Sequence, residues 1–89
     1  MNTKQRLLFC ELADARFLSR FEDQGFALEI LASIRKELMN GVIETDSMFF
    51  KRFSAMHGCT RTYIDEVIDV ALELGLIFEK PFENEEEQE

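Results

Sequence analysis

A chain of 89 residues has room for one domain and one core, near the lower end of what folds without a metal or disulfide framework. Hydrophobic residues at 46%, with nine Phe and no Trp, supply the apolar surface for that core and exclude wholesale disorder. The net charge of -8 is uneven: residues 1–80 hold all 10 basic and 13 of the 18 acidic residues, and the last nine hold the other five carboxylates, so the domain is only mildly acidic and nucleic acid is not excluded by charge alone.

In chain order, Arg6 to Phe21 is too dense in apolar residues for a solvated arm. Leu8, Leu12, Ala15 and Leu18 fit helical spacing, although Leu7-Leu8-Phe9-Cys10 could equally begin as a strand. Arg6 to Phe21 is expected to be helical, most clearly from Glu11 onward, followed by a connection at Glu22-Asp23-Gln24-Gly25 in which Gly25 is able to adopt a positive φ. A second helix, from about Phe26 to Met39, carries Phe26, Ile30, Leu31, Ile34 and Leu38 on one stripe, with Glu29, Arg35, Lys36 and Glu37 opposite, and Asn40-Gly41 stops it. Val42 to Glu44 reads as a short strand pairing with Leu76 to Phe78, and Asp46 or Ser47 is suited to cap the next helix.

Met48 to Met56 forms the third helix, with Phe49, Phe53 and Met56 facing inward and Lys51, Arg52 and Ser54 outward or lateral. Spacing does not place Phe50. A turn at His57-Gly58-Cys59-Thr60 leads to the fourth helix, with Thr60 as its N-cap and Ile64, Val67, Ile68, Ala71 and Leu72 as its buried stripe. Its outward residues are Arg61, Thr62, Asp65, Glu66, Asp69 and Glu73. Gly75 then opens a final strand that Pro81 ends, and Phe82 to Glu89 has the composition of a solvated tail.

This order predicts a mainly α fold: a winged helix-turn-helix with four helices and a minimal two-stranded β element, an incomplete wing. The expected organisation is one winged-helix-like domain over residues 1–80 and an acidic disordered tail over 81–89. Such a fold points to recognition of nucleic acid or protein rather than to chemistry.

From about Asp14 to Lys80 the sequence resembles the N-terminal winged-helix domain of DnaD-like replication proteins of Gram-positive bacteria, their phages and mobile elements. The resemblance is carried by DQGFALEILASIRK, by NGVIETD, and above all by HGCTRTYIDEVIDVALELGLIFEK, where a Gly-Cys turn leads into a helix ending in Leu-Glu-Leu-Gly-Leu-Ile-Phe. These are mostly turn and core positions, so the resemblance speaks to fold more firmly than to function. It implies self-association and contacts within a replication complex more than sequence reading. The family's second wing strand and DNA-binding C-terminal region have no counterpart here, and an acidic segment begins where the wing would return.

Two candidate surfaces follow. Lys51, Arg52, Thr60, Arg61 and Thr62 gather at the turn as a nucleic-acid candidate, with Lys4 and Arg6 as a second contribution; Thr60 to Thr62 could instead be ordinary capping with a solvated Arg. Three cations would give weak and steeply salt-sensitive DNA affinity. Asp65, Glu66, Asp69 and Glu73 form an acidic stripe that is either a solvated helix face or a protein-interaction surface, and Phe9 and Phe17 are candidates for an apolar contact with a partner or a second copy.

No metal, cofactor or catalytic site is expected. Cys10 and Cys59 lack Cys-x-x-Cys spacing and read as reduced small hydrophobes, and His57 beside Cys59 lacks further ligands of known spacing. No apolar run approaches the ~20 residues that cross a bilayer, and Met1 to Arg6 precede no signal-peptide pattern, so a cytoplasmic protein without membrane contact is expected. The leading expectation is a non-catalytic winged-helix module acting by protein–protein contact, with DNA as secondary ligand, in replication initiation or its regulation. The alternatives are an acidic DNA mimic that inhibits a host nucleic-acid-binding protein, and a small transcriptional regulator. A homodimer is compatible with all three.

Overall fold

The computed structural model describes residues 15–41 and 44–83. Four helices carry the fold: α1 (Ala15–Leu18), α2 (Gln24–Asn40), α3 (Asp46–His57) and α4 (Arg61–Glu73). Phe9, the start of the expected first helix, and the Val42-Ile43 half of the expected strand lie outside the described residues.

Local chemistry sets the helix ends. Asp23 caps α2 by accepting from the Phe26 amide at 3.0 Å, and Thr60 caps α4 by accepting from Tyr63 at 3.2 Å, each satisfying an amide that the first turn leaves without a helical partner. Thr45 caps α3 through Met48. The cap thus falls one residue before the expected pair, leaving Asp46 at the first helical position, where its carboxylate accepts from the Ser47 amide. Gly41 and Gly58 end α2 and α3 in the left-handed region, φ 70° and 66°. Gly25 does not take a positive φ; it belongs to the first turn of α2, because Asp23 caps the helix earlier than the apolar stripe suggests.

The core is built by α2 and α3 packing on α4, with α1 against α2. Phe17, Ile30, Leu31, Ile34, Phe49, Phe53, Ile64, Val67 and Ile68 are fully buried. On α3 the buried face holds Phe49, Phe50 and Phe53, while Met56 is 55% exposed. At about 100° per residue, Phe53 lies between Phe49 and Phe50. The buried arc is therefore centred further round than the Phe49–Phe53–Met56 row implies, which buries Phe50 and leaves Met56 at its margin.

The expected strand at Leu76 to Phe78 does not form. Gly75 takes φ 74°, the Gly75 amide donates to Leu72 and the Leu76 amide to Ala71 at 2.8 Å, which is the Schellman closure of a helix C-terminus. The Leu76 carbonyl accepts from Arg35 at 3.1 Å. With its N–H already engaged, Leu76 has no donor left for a ladder, and among the described residues the β pairing found is an isolated parallel bridge between Thr45 and Glu83. There Asp46 donates to the Glu83 carbonyl at 2.9 Å and Glu83 donates to Glu44 at 2.8 Å. The bridge draws the chain back over the core: Pro81 is buried, and the Phe82 ring lies 5.2 Å from Phe49 and 5.1 Å from Phe50. Packing therefore continues three residues past the expected boundary at Lys80. Among the described residues, no helix is long and apolar enough to cross a membrane.

Candidate functional site

The pair α3 and α4 is joined by Gly58, Cys59 and Thr60, a three-residue turn with a left-handed glycine, and both candidate surfaces sit on this pair. Burial of Ile64, Val67, Ile68, Val70 and Ala71 fixes the rotation of α4. At about 100° per residue, Thr62, Asp65, Glu66, Asp69 and Glu73 all fall on the opposite face, within roughly 100° of arc, and all five are exposed. From Asp65 to Glu73 the face runs about 12 Å along the helix, at 1.5 Å per residue. Glu73 is held by Arg20, whose guanidinium lies 3.0 Å away. No cation partner is found for Asp65, Glu66 or Asp69 among the described residues.

The basic candidates do not form a patch. Arg52 is half-buried and donates to both Glu37 of α2 and Glu44, with its guanidinium 5.2 Å from the Phe53 ring centre. The Glu44 hydrogen bond and then the Glu37 bond raise its pKa against the opposing effect of burial. A guanidinium clamped by two carboxylates sits in a locally net-negative cluster and spends its Nε and Nη2 donors there, which weakens its attraction for a phosphate. Arg61 has its guanidinium over the Phe50 ring, 4.3 Å from the centre, and 3.9 Å from the Asp46 carboxylate. Lys51 is exposed, and no carboxylate partner is found for it among the described residues. Thr60 is occupied as a cap, so of the five nucleic-acid candidates only Lys51 and Thr62 stand open to solvent without another task.

Phe17 is no surface contact. It is fully buried, with its ring 4.8 Å from Phe21, because the four-residue α1 turns it inward under α2. Cys59 is half-buried, and burial pushes its thiol up from the ordinary value. The His57 ring lies 5.1 Å from that of Phe53, tilted by 51°. Among the described residues, no group of three or more His, Cys, Asp or Glu is placed to hold a metal ion.

Sequence reasoning missed the acidic partners Glu37, Glu44 and Asp46, which decide what the turn-region cations can do. Their spacing to Arg52 and Arg61 is long or crosses elements, so no helical i, i+4 signal marks them. A scan against protein-family models, a search of curated proteins and a search of solved structures all find no match to this chain.

Proposed function

We propose that this chain is a non-catalytic helix-turn-helix module, winged-helix-like with a vestigial wing, that acts by protein–protein contact through the outward face of α4, with DNA as a secondary ligand. The observation that carries this reading is the exposure of Asp65, Glu66, Asp69 and Glu73 on the helix that a DNA-reading member of this architecture lays in the major groove. Duplex DNA carries one negative charge per about 1.7 Å, and a carboxylate face meets it with repulsion. The same face complements a basic protein surface and steers its approach. The resemblance to DnaD-like domains supports a place in replication initiation or its regulation, in a bacterium, phage or mobile element.

Titration into labelled duplex and single-stranded DNA by fluorescence anisotropy tests the reading. Binding is expected only at low salt; with three turn-region cations at most, log K falls with log[salt] at a slope of about -2.7 or shallower. Asp65→Lys with Asp69→Lys abolishes partner capture in a pull-down that the native chain supports. Tight duplex binding by the native chain near physiological salt, lost on Lys51→Ala with Arg61→Ala, would overturn the proposal in favour of a transcriptional regulator.

A DNA-mimic inhibitor is the second reading, favoured by the regular exposure of the same carboxylates. Four carboxylates along about 12 Å compare with roughly seven backbone charges on the same length of duplex. The face alone is therefore an incomplete mimic and would require Glu83 to Glu89. Replacing Glu85, Glu86, Glu87 and Glu89 by Gln, which keeps the Glu83 bridge, weakens capture of a basic partner under this reading and leaves it unchanged under the first.

A further inference from the structure

The strap that returns over the core holds the same residues that occupy the turn-region arginines. The Glu83 amide donates to the Glu44 carbonyl at 2.8 Å, and the Asp46 amide donates to the Glu83 carbonyl at 2.9 Å. Those two backbone partners are the residues whose carboxylates face the guanidinium groups: Glu44 accepts from Arg52 Nε at 3.2 Å, and Asp46 stands 3.9 Å from Arg61. Thr45 between them caps α3 and is the residue bridged to Glu83. The rings repeat the link, since Phe82 packs on Phe49 and Phe50 while Arg52 lies over Phe49 and Phe53 and Arg61 over Phe50.

Little closes the strap. No backbone–backbone hydrogen bond is found for Phe78 to Phe82 among the described residues, and Phe78, Glu79 and Lys80 are exposed. Pro81, Phe82 and the two bonds at Glu83 hold it, so it opens far more readily than the helices do. We infer that this strap is an autoinhibitory contact against nucleic acid. Closed, it keeps Glu44 and Asp46 on Arg52 and Arg61 and leaves Lys51 as the turn-region cation open to phosphate. Open, it frees the Glu44–Asp46 segment, and the two guanidinium groups, whose side chains are already 39% and 61% exposed, turn to a phosphate backbone. This rests on DNA being the secondary ligand of the module proposed above, and the strap is what keeps it secondary.

Duplex DNA titrated by fluorescence anisotropy into the full chain and its variants, from low salt upward, tests this. Glu83→Pro removes the amide that donates to Glu44. It is expected to strengthen duplex binding about threefold or more at low salt, and to steepen the slope of log K against log[salt] by up to about 0.9 for each guanidinium released. Glu83→Gln keeps the amide and leaves the slope unchanged. Phe82→Ala loosens the strap by a second route and moves binding in the same direction as Glu83→Pro. Glu44→Gln with Asp46→Asn breaks the carboxylate hold directly and gives at least the same gain; adding Glu83→Pro to that pair gains nothing more, because both act through the same arginines. Glu22→Gln with Glu29→Gln makes an equal change in net charge at exposed positions and leaves the slope unchanged. Amide hydrogen exchange checks the opening without DNA: the Asp46 amide exchanges faster in Glu83→Pro, while Phe53 and Val67 keep their protection. A gain from Glu44→Gln with Asp46→Asn but none from either strap variant overturns the inference and keeps DNA as a ligand, as does an equal steepening in the Glu22 and Glu29 pair. No duplex binding by any variant at low salt overturns the underlying reading of DNA as a ligand as well.

Discussion

Tyr63 shows how one side chain can be well packed and poorly satisfied at once. Its ring sits 5.8 Å from Phe21 and 5.5 Å from Phe26, while its hydroxyl is buried with no hydrogen-bond partner among the described residues. Removing an unsatisfied hydroxyl while keeping the ring removes a desolvation cost, so Tyr63→Phe is expected to leave stability at neutral pH unchanged or raise it by up to about 1 kcal/mol. Burial, with Asp23, Cys59 and Glu66 adding to it, pushes the phenol up from its ordinary 10.0, and burial pushes Cys59 up from 9.0. Both groups hold their proton more tightly in the folded chain. Their contribution is complete below those ordinary values and is lost as pH rises past them and through the raised ones. Urea melts from pH 7 to above pH 10 should show alkaline destabilisation, shallower in Tyr63→Phe; a loss above about 1 kcal/mol at neutral pH would mean that the hydroxyl is bonded after all. At this scale the sequence was readable wherever the partner is local, as for Thr60 capping the Tyr63 amide, and silent for Arg52, whose partners arrive from 8 and 15 residues away.

Among the elements, two glycines make the same substitution act in opposite directions. Gly58 closes α3 at φ 66° with nothing near an added Cβ, so Gly58→Ala meets no clash and suffers only the left-handed penalty of about 1–2 kcal/mol. Gly25 lies within α2, where an added Cβ meets only Asp23 Oδ1 at 3.9 Å, and Gly25→Ala is expected to stabilise by about 0.4–1 kcal/mol through the unfolded chain and helix propensity. Thermal unfolding of the two variants checks the contrast; a destabilised Gly25→Ala would place that residue outside the helix. The helices α2, α3 and α4 were legible because amphipathic spacing and caps are properties of a few neighbouring residues. The segment Leu76 to Phe78 was not: its β-compatible residues are overruled by the Gly75 closure and by Arg35 reaching across from α2 to the Leu76 carbonyl.

For the whole molecule, the return of the chain at Pro81-Phe82-Glu83 closes the end of the core formed by Phe49 and Phe50. Phe82 is half-buried on those two rings, so Phe82→Ala is expected to cost about 1–2 kcal/mol, below the value for a fully buried Phe. Chemical denaturation measures it, and an unchanged midpoint would mean that the bridge at Thr45 and Glu83 holds the segment without help from the ring. Composition places Phe82 with the glutamates that follow it, since no local signal records that two other Phe side chains wait some thirty residues upstream.

By itself the sequence determined three of the helices, their caps at Thr60 and Gly41, the acidic face of α4 and most of its buried stripe, where Val70 takes the buried place expected of the half-buried Leu72, because each follows from spacing within a turn or two of one helix. Only the tertiary structure decided that Phe17 and Phe50 are core, that Met56 and Phe78 are surface, that Leu76 to Phe78 form no strand among the described residues, and that Arg52 and Arg61 are engaged by carboxylates and rings. Those outcomes depend on which element lies against which, and a side chain's exposure or its counter-ion is set by neighbours distant in the chain.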